Sequence, residues 1–410
     1  MDRNAKCLRK EYIILFSNLK SCLHHIIEDY CVPGVDCIVY QNHVQVFRHV
    51  VGLSDLESQK PMTGNELYYI FSMTKMLTCT AALQLWEQGK YDMDDPVSKY
   101  LPEYAHMQIS PNGFDAGIGA QVARGGALGC EKEIKTDNYA KTQITIRHLF
   151  TMTAGLDYNL RAEGITKAIA DGKITTLDIV KAISETVLGF EPGTRYRYSL
   201  CHDVLAGLVE VWSGQTFGEY LRENITAPLG MHDTTFHMPE DFERMAAMYI
   251  YDDPHTVRRL PLSCVFALTA QYESGGAGLI SSPEDYAIFA DALACGGMGK
   301  NGARILRAAT IDLMRTNQLS TTQLEDFRLI RKGYGYGLGV RTHMCPADSG
   351  SLSPVGEFGW DGAAGAFSLI DPEHKLSLVF FQHVHNWDRI YQKELTNALY
   401  SDFLKNDASR

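Results

Sequence analysis

The sequence predicts an α+β protein: an antiparallel sheet flanked by N- and C-terminal helices, with a mostly helical region inserted into it. Three observations carry this. Hairpin patterns lie near both ends of the chain, helical patterns fill the space between them, and an amphipathic helix flanks the strands at each terminus. The 410 residues form one catalytic unit in this reading, with 1–65 and 330–410 as the sheet lobe and 66–329 as the helical lobe.

In chain order, the first element is the N-terminal helix, with apolar positions Ile13, Ile14, Leu23, Ile26 and Ile27. The run Ile13 to Phe16 is too short for a signal segment or a membrane span, so a cytoplasmic protein is expected. Next, "GVDCIVYQNHVQVFRHVVGLSD" places two β-rich runs around a turn at Gln41–Asn42–His43. An apolar helix follows Ser72 and stops at Gly89. Residues 106–142 are rich in glycine and polar residues, which predicts a lid or an exposed excursion. A helix from about His202 to Trp212 stops at Gly214, and Ser282–Pro283–Glu284–Asp285 opens another. "GYGYGLGVRT" and "VGEFGW" read as short strands, and a second hairpin turns at Asp371–Pro372–Glu373–His374. The last helix carries Leu395, Ala398, Leu399 and Phe403 on its apolar side.

Composition excludes several functions. A net charge of −11 without a basic block argues against nucleic acid or an anionic membrane as partner. Ten cysteines form no C-x-x-C pair and read as reduced thiols. Zinc signatures, the Walker loop and G-x-G-x-x-G are missing, so neither a metal nor another cofactor is expected. The G-x-S-x-G elbow is missing too.

Chemistry concentrates at "FSMTK". Serine needs a base to become a nucleophile, and a lysine three residues on lies on the same helical face. Such a lysine must be uncharged part of the time. The apolar helix after Ser72 and the positive end of its dipole both favour the neutral amine of Lys75. A second S-x-x-K, Ser17 to Lys20, lies in the amphipathic first helix, where lysine faces water. Two further stretches fit the first pair. Tyr198–Ser199 follows a Pro-Gly turn and offers a phenol as partner acid or base. "FGWDGAAGAF" lets a strand's backbone approach a ligand, so one of its amides and the Ser72 amide can cradle an oxyanion. His148 and His202 lie near these segments and read as structural histidines.

The chain resembles the serine β-lactamase and penicillin-binding-protein-like superfamily, in particular its class C and family VIII carboxylesterase branches. Beyond Ser72-Met73-Thr74-Lys75, the resemblance rests on "DDPVSKYLPEY", "ITIRHLFTMTAGL", "PGTRYRYS", "APLGMHDT", "SGGAGLISSPEDYAIFA" and "DGAAG", in the family's order over about residues 30–385. It implies the β-lactamase/DD-peptidase-like fold and no cofactor. By position it makes Ser72 the acylated nucleophile, Lys75 its general base and Tyr198 the tyrosine of the Y-x-N motif, with the Ser72 and Ala363 amides as oxyanion hole. Two positions depart from the family. Leu200 replaces the Y-x-N asparagine, and Trp360–Asp361–Gly362 replaces the Lys-Thr-Gly triplet. A lysine there would pair the carboxylate of a penicillin. Tryptophan does not, and Asp361 is expected to repel it. Trp360, Asp361, Gly362 and Leu200 are therefore the expected substrate-binding residues.

The resulting expectation is a serine hydrolase acting through an acyl-enzyme on a small-molecule ester or lactone, most simply a carboxylesterase. A β-lactamase or D-amino-acid amidase, an acyltransferase and a non-catalytic binding protein are the alternatives. The sequence sets no oligomeric state.

Overall fold

The computed structural model describes residues 16–110, 137–387 and 391–407. Its frame is an eight-stranded antiparallel sheet whose strands come from both ends of the chain. In chain order the framing elements are α1 (Ser17–Asp29), β1 (Gly34–Gln41), β2 (Val44–Asp55), β3 (Lys60–Pro61), α2 (Thr74–Glu87), α3 (Cys201–Ser213), α4 (Pro283–Ala294), β4 (Tyr334–Tyr336), β5 (Arg341–His343), β6 (Phe358–Gly359), β7 (Phe367–Asp371), β8 (Leu376–Phe381) and α5 (Gln392–Asp407). The strand order is β3-β2-β1-β8-β7-β6-β5-β4. The N-terminal strand β1 thus pairs with β8, with Ile38 opposite Val379.

The period-2 alternation of the strands sorts their side chains onto two faces. Val35, Cys37, Val39, Leu369, Leu378 and Phe380 pack with α1 and α5, through Leu19, Leu23, Ile26, Leu395 and Leu399. The intervening Ile38, Ile370, Val379 and Phe381 join the larger core built with the helices of the chain's middle. The two terminal helices are also joined by polar contacts. Asp402 of α5 accepts from the backbone N–H of Leu19 at 3.0 Å and from Asn18 Nδ2 at 2.6 Å. It thereby supplies the start of α1 with the acceptor that its own N-cap residue does not.

Local signals act as the sequence suggests. The β1–β2 turn holds Asn42 and His43 in the left-handed region, at φ +48° and +66°. Ser282 caps α4 by accepting from the Asp285 N–H, and Gly214 ends α3 at φ +75°. Positions 13 and 14 of the expected first helix, and 111–136 of the expected insertion, lie outside the described residues. The flanks of that insertion run side by side: the Ile109 N–H donates to Asn138 O at 3.0 Å, and the Ala140 N–H to Met107 O at 3.0 Å. Among the described residues no helix is long and apolar enough to cross a membrane.

Candidate active site

The segment carrying Ser72 is gripped from both sides. Tyr68 and Tyr69 pair antiparallel with Ser281 and Ile280, and the Ile70 N–H donates to Leu279 O at 3.0 Å. The backbone then turns sharply. Phe71 adopts φ +45°, a region that costs an aromatic residue on the order of 1–2 kcal/mol. Its buried ring holds it there. The chain enters a single 3₁₀ turn, Phe71–Met73, and continues as α2. Ser72 is left half-buried at the start of this helix, and Lys75, one turn on, is fully buried.

The Lys75 amine has three neighbours. Its Nζ lies 3.3 Å from Ser72 Oγ, 3.1 Å from the Tyr158 hydroxyl and 2.7 Å from Gly276 O. A neutral amine has two N–H donors and one lone pair. The carbonyl of Gly276 can only accept, so it takes one N–H; the Tyr158 oxygen can take the other. In that neutral form the lone pair would face Ser72, which is the direction a base needs. Burial, with Tyr198 and Asp203 nearby, holds the Tyr158 phenol well above its ordinary value, so its hydroxyl stays protonated.

Glycines in "SGGAG" allow this arrangement. A Cβ on Gly276 would lie 2.5 Å from Asp203 Oδ2 and 3.1 Å from the Tyr158 hydroxyl, and one on Gly275 would lie 2.5 Å from His202 O. Only a bare backbone threads between α2 and α3 to bring its carbonyl to the lysine. Asp203, on the first turn of α3, fixes that backbone. Its Oδ1 accepts from the Tyr272 hydroxyl at 2.7 Å, Ser274 Oγ at 2.6 Å and the Gly276 N–H at 3.2 Å.

Tyr198 stands between two other rings. It stacks on Tyr158 with centroids 5.5 Å apart and on Trp360 at 5.7 Å, with interplanar angles of 21° and 22°. Lys75 Nζ is 4.5 Å from the centroid of the Tyr198 ring. The Tyr198 hydroxyl accepts from Trp360 Nε1 at 3.3 Å. The phenol bonded to the lysine is therefore that of Tyr158, while Tyr198 presents its ring to the amine and its hydroxyl to the indole.

The segment after β6 closes the site from the sheet side. A Cβ on Gly362 would meet Ile70 O at 2.5 Å, so this glycine lets the strand lie against the residue two before the nucleophile. Ala363, next along, is half-buried. Two expectations need correcting. Asp361 does not present a repelling charge: its carboxylate is buried in an ion pair with Arg331, which cancels it internally. Leu200 is 1% exposed, so this apolar side chain is drawn into the core and gives a substrate no surface.

The two nearby histidines are held by hydrogen bonds. His202 Nε2 lies 3.3 Å from Phe150 O, and burial beside Lys75 lowers its pKa to about 3. His148 Nδ1 accepts from the Thr145 N–H at 3.2 Å, inside a helix capping box. Sequence reasoning missed Tyr158, Gly276, Asp203 and Arg331. Tyr158 lies just past the "TMTAGL" phrase, and Gly276 sits inside "SGGAG", but no spacing marks either as a neighbour of Lys75.

The Beta-lactamase family model matches residues 19–400. The chain is 27% identical over 393 residues to Esterase EstB of Burkholderia gladioli, covering 89% of each chain. It is 25% identical over 403 residues to the monacolin J acid methylbutanoyltransferase of Aspergillus terreus, covering 91% of this chain and 92% of that one. Among solved structures it is similar in fold to EstCE1, a hydrolase with promiscuous acyltransferase activity. That likeness has a TM-score of 0.76 at 24% identity and covers 95% of this chain and 99% of that one.

Proposed function

The chain belongs to the beta-lactamase family, and from that premise we propose that it is a carboxylesterase working through an acyl-enzyme on small or medium acyl esters or lactones. Ser72 Oγ attacks the ester carbonyl, and its proton passes to Lys75 across the 3.3 Å contact. Gly276 O and the Tyr158 hydroxyl hold the amine in place. The N–H groups of Ser72 and Ala363 stabilise the oxyanion, an assignment supported by the close approach of Gly362 to Ile70. Collapse of the tetrahedral intermediate breaks the bond to the alcohol oxygen. That oxygen takes the proton from Lys75, with the Tyr198 hydroxyl sharing the transfer. Water then attacks the acyl-enzyme, gives its proton to Lys75 and releases the acid, and Ser72 recovers its hydrogen.

The observation that carries the ester preference is the wall beside Tyr198. It presents the indole of Trp360, and the charge of Asp361 behind it is already met by Arg331. Such a wall favours an uncharged acyl or alcohol group over the carboxylate of a penicillin or a peptide C-terminus.

The test uses a p-nitrophenyl ester series and nitrocefin with the wild type and Ser72→Ala. Ester turnover should exceed nitrocefin turnover and vanish in the variant, with fluorophosphonate labelling confined to Ser72. Faster hydrolysis of nitrocefin would overturn the ester reading in favour of an amide substrate.

A second reading, acyl transfer to an alcohol, is favoured by the similarity to the methylbutanoyltransferase. The same acyl-enzyme serves both outcomes. Adding an alcohol acceptor and measuring the ratio of new ester to free acid separates them.

A further inference from the structure

Beside the Arg331–Asp361 pair lies a cavity of about 170 Å³ that the chemistry above does not use. Arg331, Lys332, Arg341, Lys393 and Gln392 are among the residues that line it, and among the described residues no carboxylate does. In a chain of net charge −11, such a cluster of cations is unexpected. The buried members are already paired: Arg331 with Asp361, and Arg341 with Glu357 at 2.7 Å. Lys332 and Lys393 are exposed, and neither has a carboxylate partner among the described residues. Among the described residues these two lysines are the lining cations without a counter-charge.

Two further observations point to an anion. Gln392 and Lys393 stand on the first turn of the sixteen-residue helix α5, whose N-terminus carries the positive end of the dipole. The one acid of that turn, Glu394, faces away and accepts from the Tyr30 hydroxyl at 3.0 Å. Gln392 is 9% exposed, and its amide orientation is fixed because Arg331 Nη1 donates to Oε1 at 2.9 Å. Arginine cannot accept, so the oxygen must face it and the Nε2 group is the free end. That nitrogen is buried without an acceptor. An unmet donor of this kind carries a desolvation penalty, which an arriving acceptor would recover.

We propose that this cavity binds a small oxyanion, a phosphate or carboxylate group, through Lys332, Lys393 and the side-chain amide of Gln392. Its volume is well below the roughly 300–1,000 Å³ of pockets that enclose a whole ligand, so it takes a headgroup. The anion is either the remote end of a substrate or a free effector. In both cases it lies next to Arg331, whose guanidinium carbon is 5.4 Å from the centroid of the Trp360 ring. An anion here competes with Asp361 for that guanidinium and so acts on the wall of the active site.

Calorimetry tests the binding without reference to turnover, so its failure is distinct from failure of the esterase reading. Inorganic phosphate is titrated into the full chain at constant ionic strength, with chloride as reference. Saturable one-to-one binding is expected, weakened at least tenfold by Lys332→Gln with Lys393→Gln, two exposed changes that spare the core. No saturable heat, or equal binding by the double variant, overturns the proposal. Kinetics then separate the sources. If the anion is part of the substrate, the double variant raises KM for a p-nitrophenyl ester with a terminal carboxylate and not for the butyrate ester. If it is an effector, phosphate alters kcat for the butyrate ester in the wild type and not in the double variant.

Discussion

Tyr158→Phe isolates the step in which Lys75 is aimed. The change removes one oxygen, the acceptor 3.1 Å from Lys75 Nζ, and keeps the ring stacked 5.5 Å from Tyr198 and set edge-on against Phe266 at 5.8 Å. The amine gains charge as it takes the serine proton, and a hydrogen bond to a charged group is worth roughly 1.5–3 kcal/mol. With about 1.4 kcal/mol per decade of rate, kcat for a p-nitrophenyl ester should fall about 10- to 100-fold. Tyr158 is 1% exposed and touches no substrate, so KM should stay within about twofold. The loss should also be insensitive to the acyl chain, because it lies in proton transfer. Steady-state kinetics over the ester series, with a melting curve to show that the fold survives, decide the matter. An unchanged kcat, or a loss confined to KM, would refute the idea that the phenol orients the amine.

Three other perturbations test the structure. Gly276→Ala places a methyl group 2.5 Å from Asp203 Oδ2, so the segment must shift and carry its carbonyl off Lys75. Ester turnover should drop further than in Tyr158→Phe, and wild-type rates in a folded variant would count against the cradle. Arg331→Met removes the guanidinium that meets the buried Asp361 carboxylate and should cost about 3–5 kcal/mol of stability, most of it recovered by adding Asp361→Leu; urea melts of the single and double variants measure both terms. Burial pushes the Glu210 carboxyl up to about 7, above its unfolded value of 4.5, so the native state binds the extra proton between these values and loses stability as pH rises through them. Discounted for its partial exposure, the advantage of Glu210→Gln over wild type should grow by about 1–2 kcal/mol from pH 5 to pH 8, and a pH-independent difference would refute the assignment.

Parts of this site were readable in the sequence because they are local. A serine and a lysine three apart on one helix must lie close together, and they do, at 3.3 Å. The hairpin turns, the Ser282 cap and the Gly214 stop obey equally short-range rules. The partners of Lys75 obey none: Tyr158 and Gly276 lie 83 and 201 positions away, and only tertiary packing makes them neighbours. The Arg331–Asp361 pair was missed for the same reason. A carboxylate beside a pocket reads as a repelling charge until its counter-ion, from the far side of a strand pair, is seen. Leu200 went astray differently. A position transferred from a polar motif says where the backbone runs, but an apolar residue placed there is free to turn inward.

What sets the precision of the site is the backbone more than the side chains. Ser72 is aimed by the left-handed Phe71, Lys75 by the carbonyl of Gly276, and Ala363 by the contact of Gly362 with Ile70. At each glycine a Cβ would come within 2.5 Å of a neighbouring oxygen, so neither position tolerates a side chain without moving a reacting group. Trp360 and Arg331 stand outside this frame. Among the described residues they reach the reaction through the indole wall, the Tyr198 ring and hydroxyl, and the Asp361 carboxylate. Exchange at these outer positions can change what is bound while leaving the serine, the lysine and the two amides where they are. A replacement at Trp360 should therefore move KM and substrate preference, whereas one at Gly276 or Gly362 should lower kcat for every substrate alike.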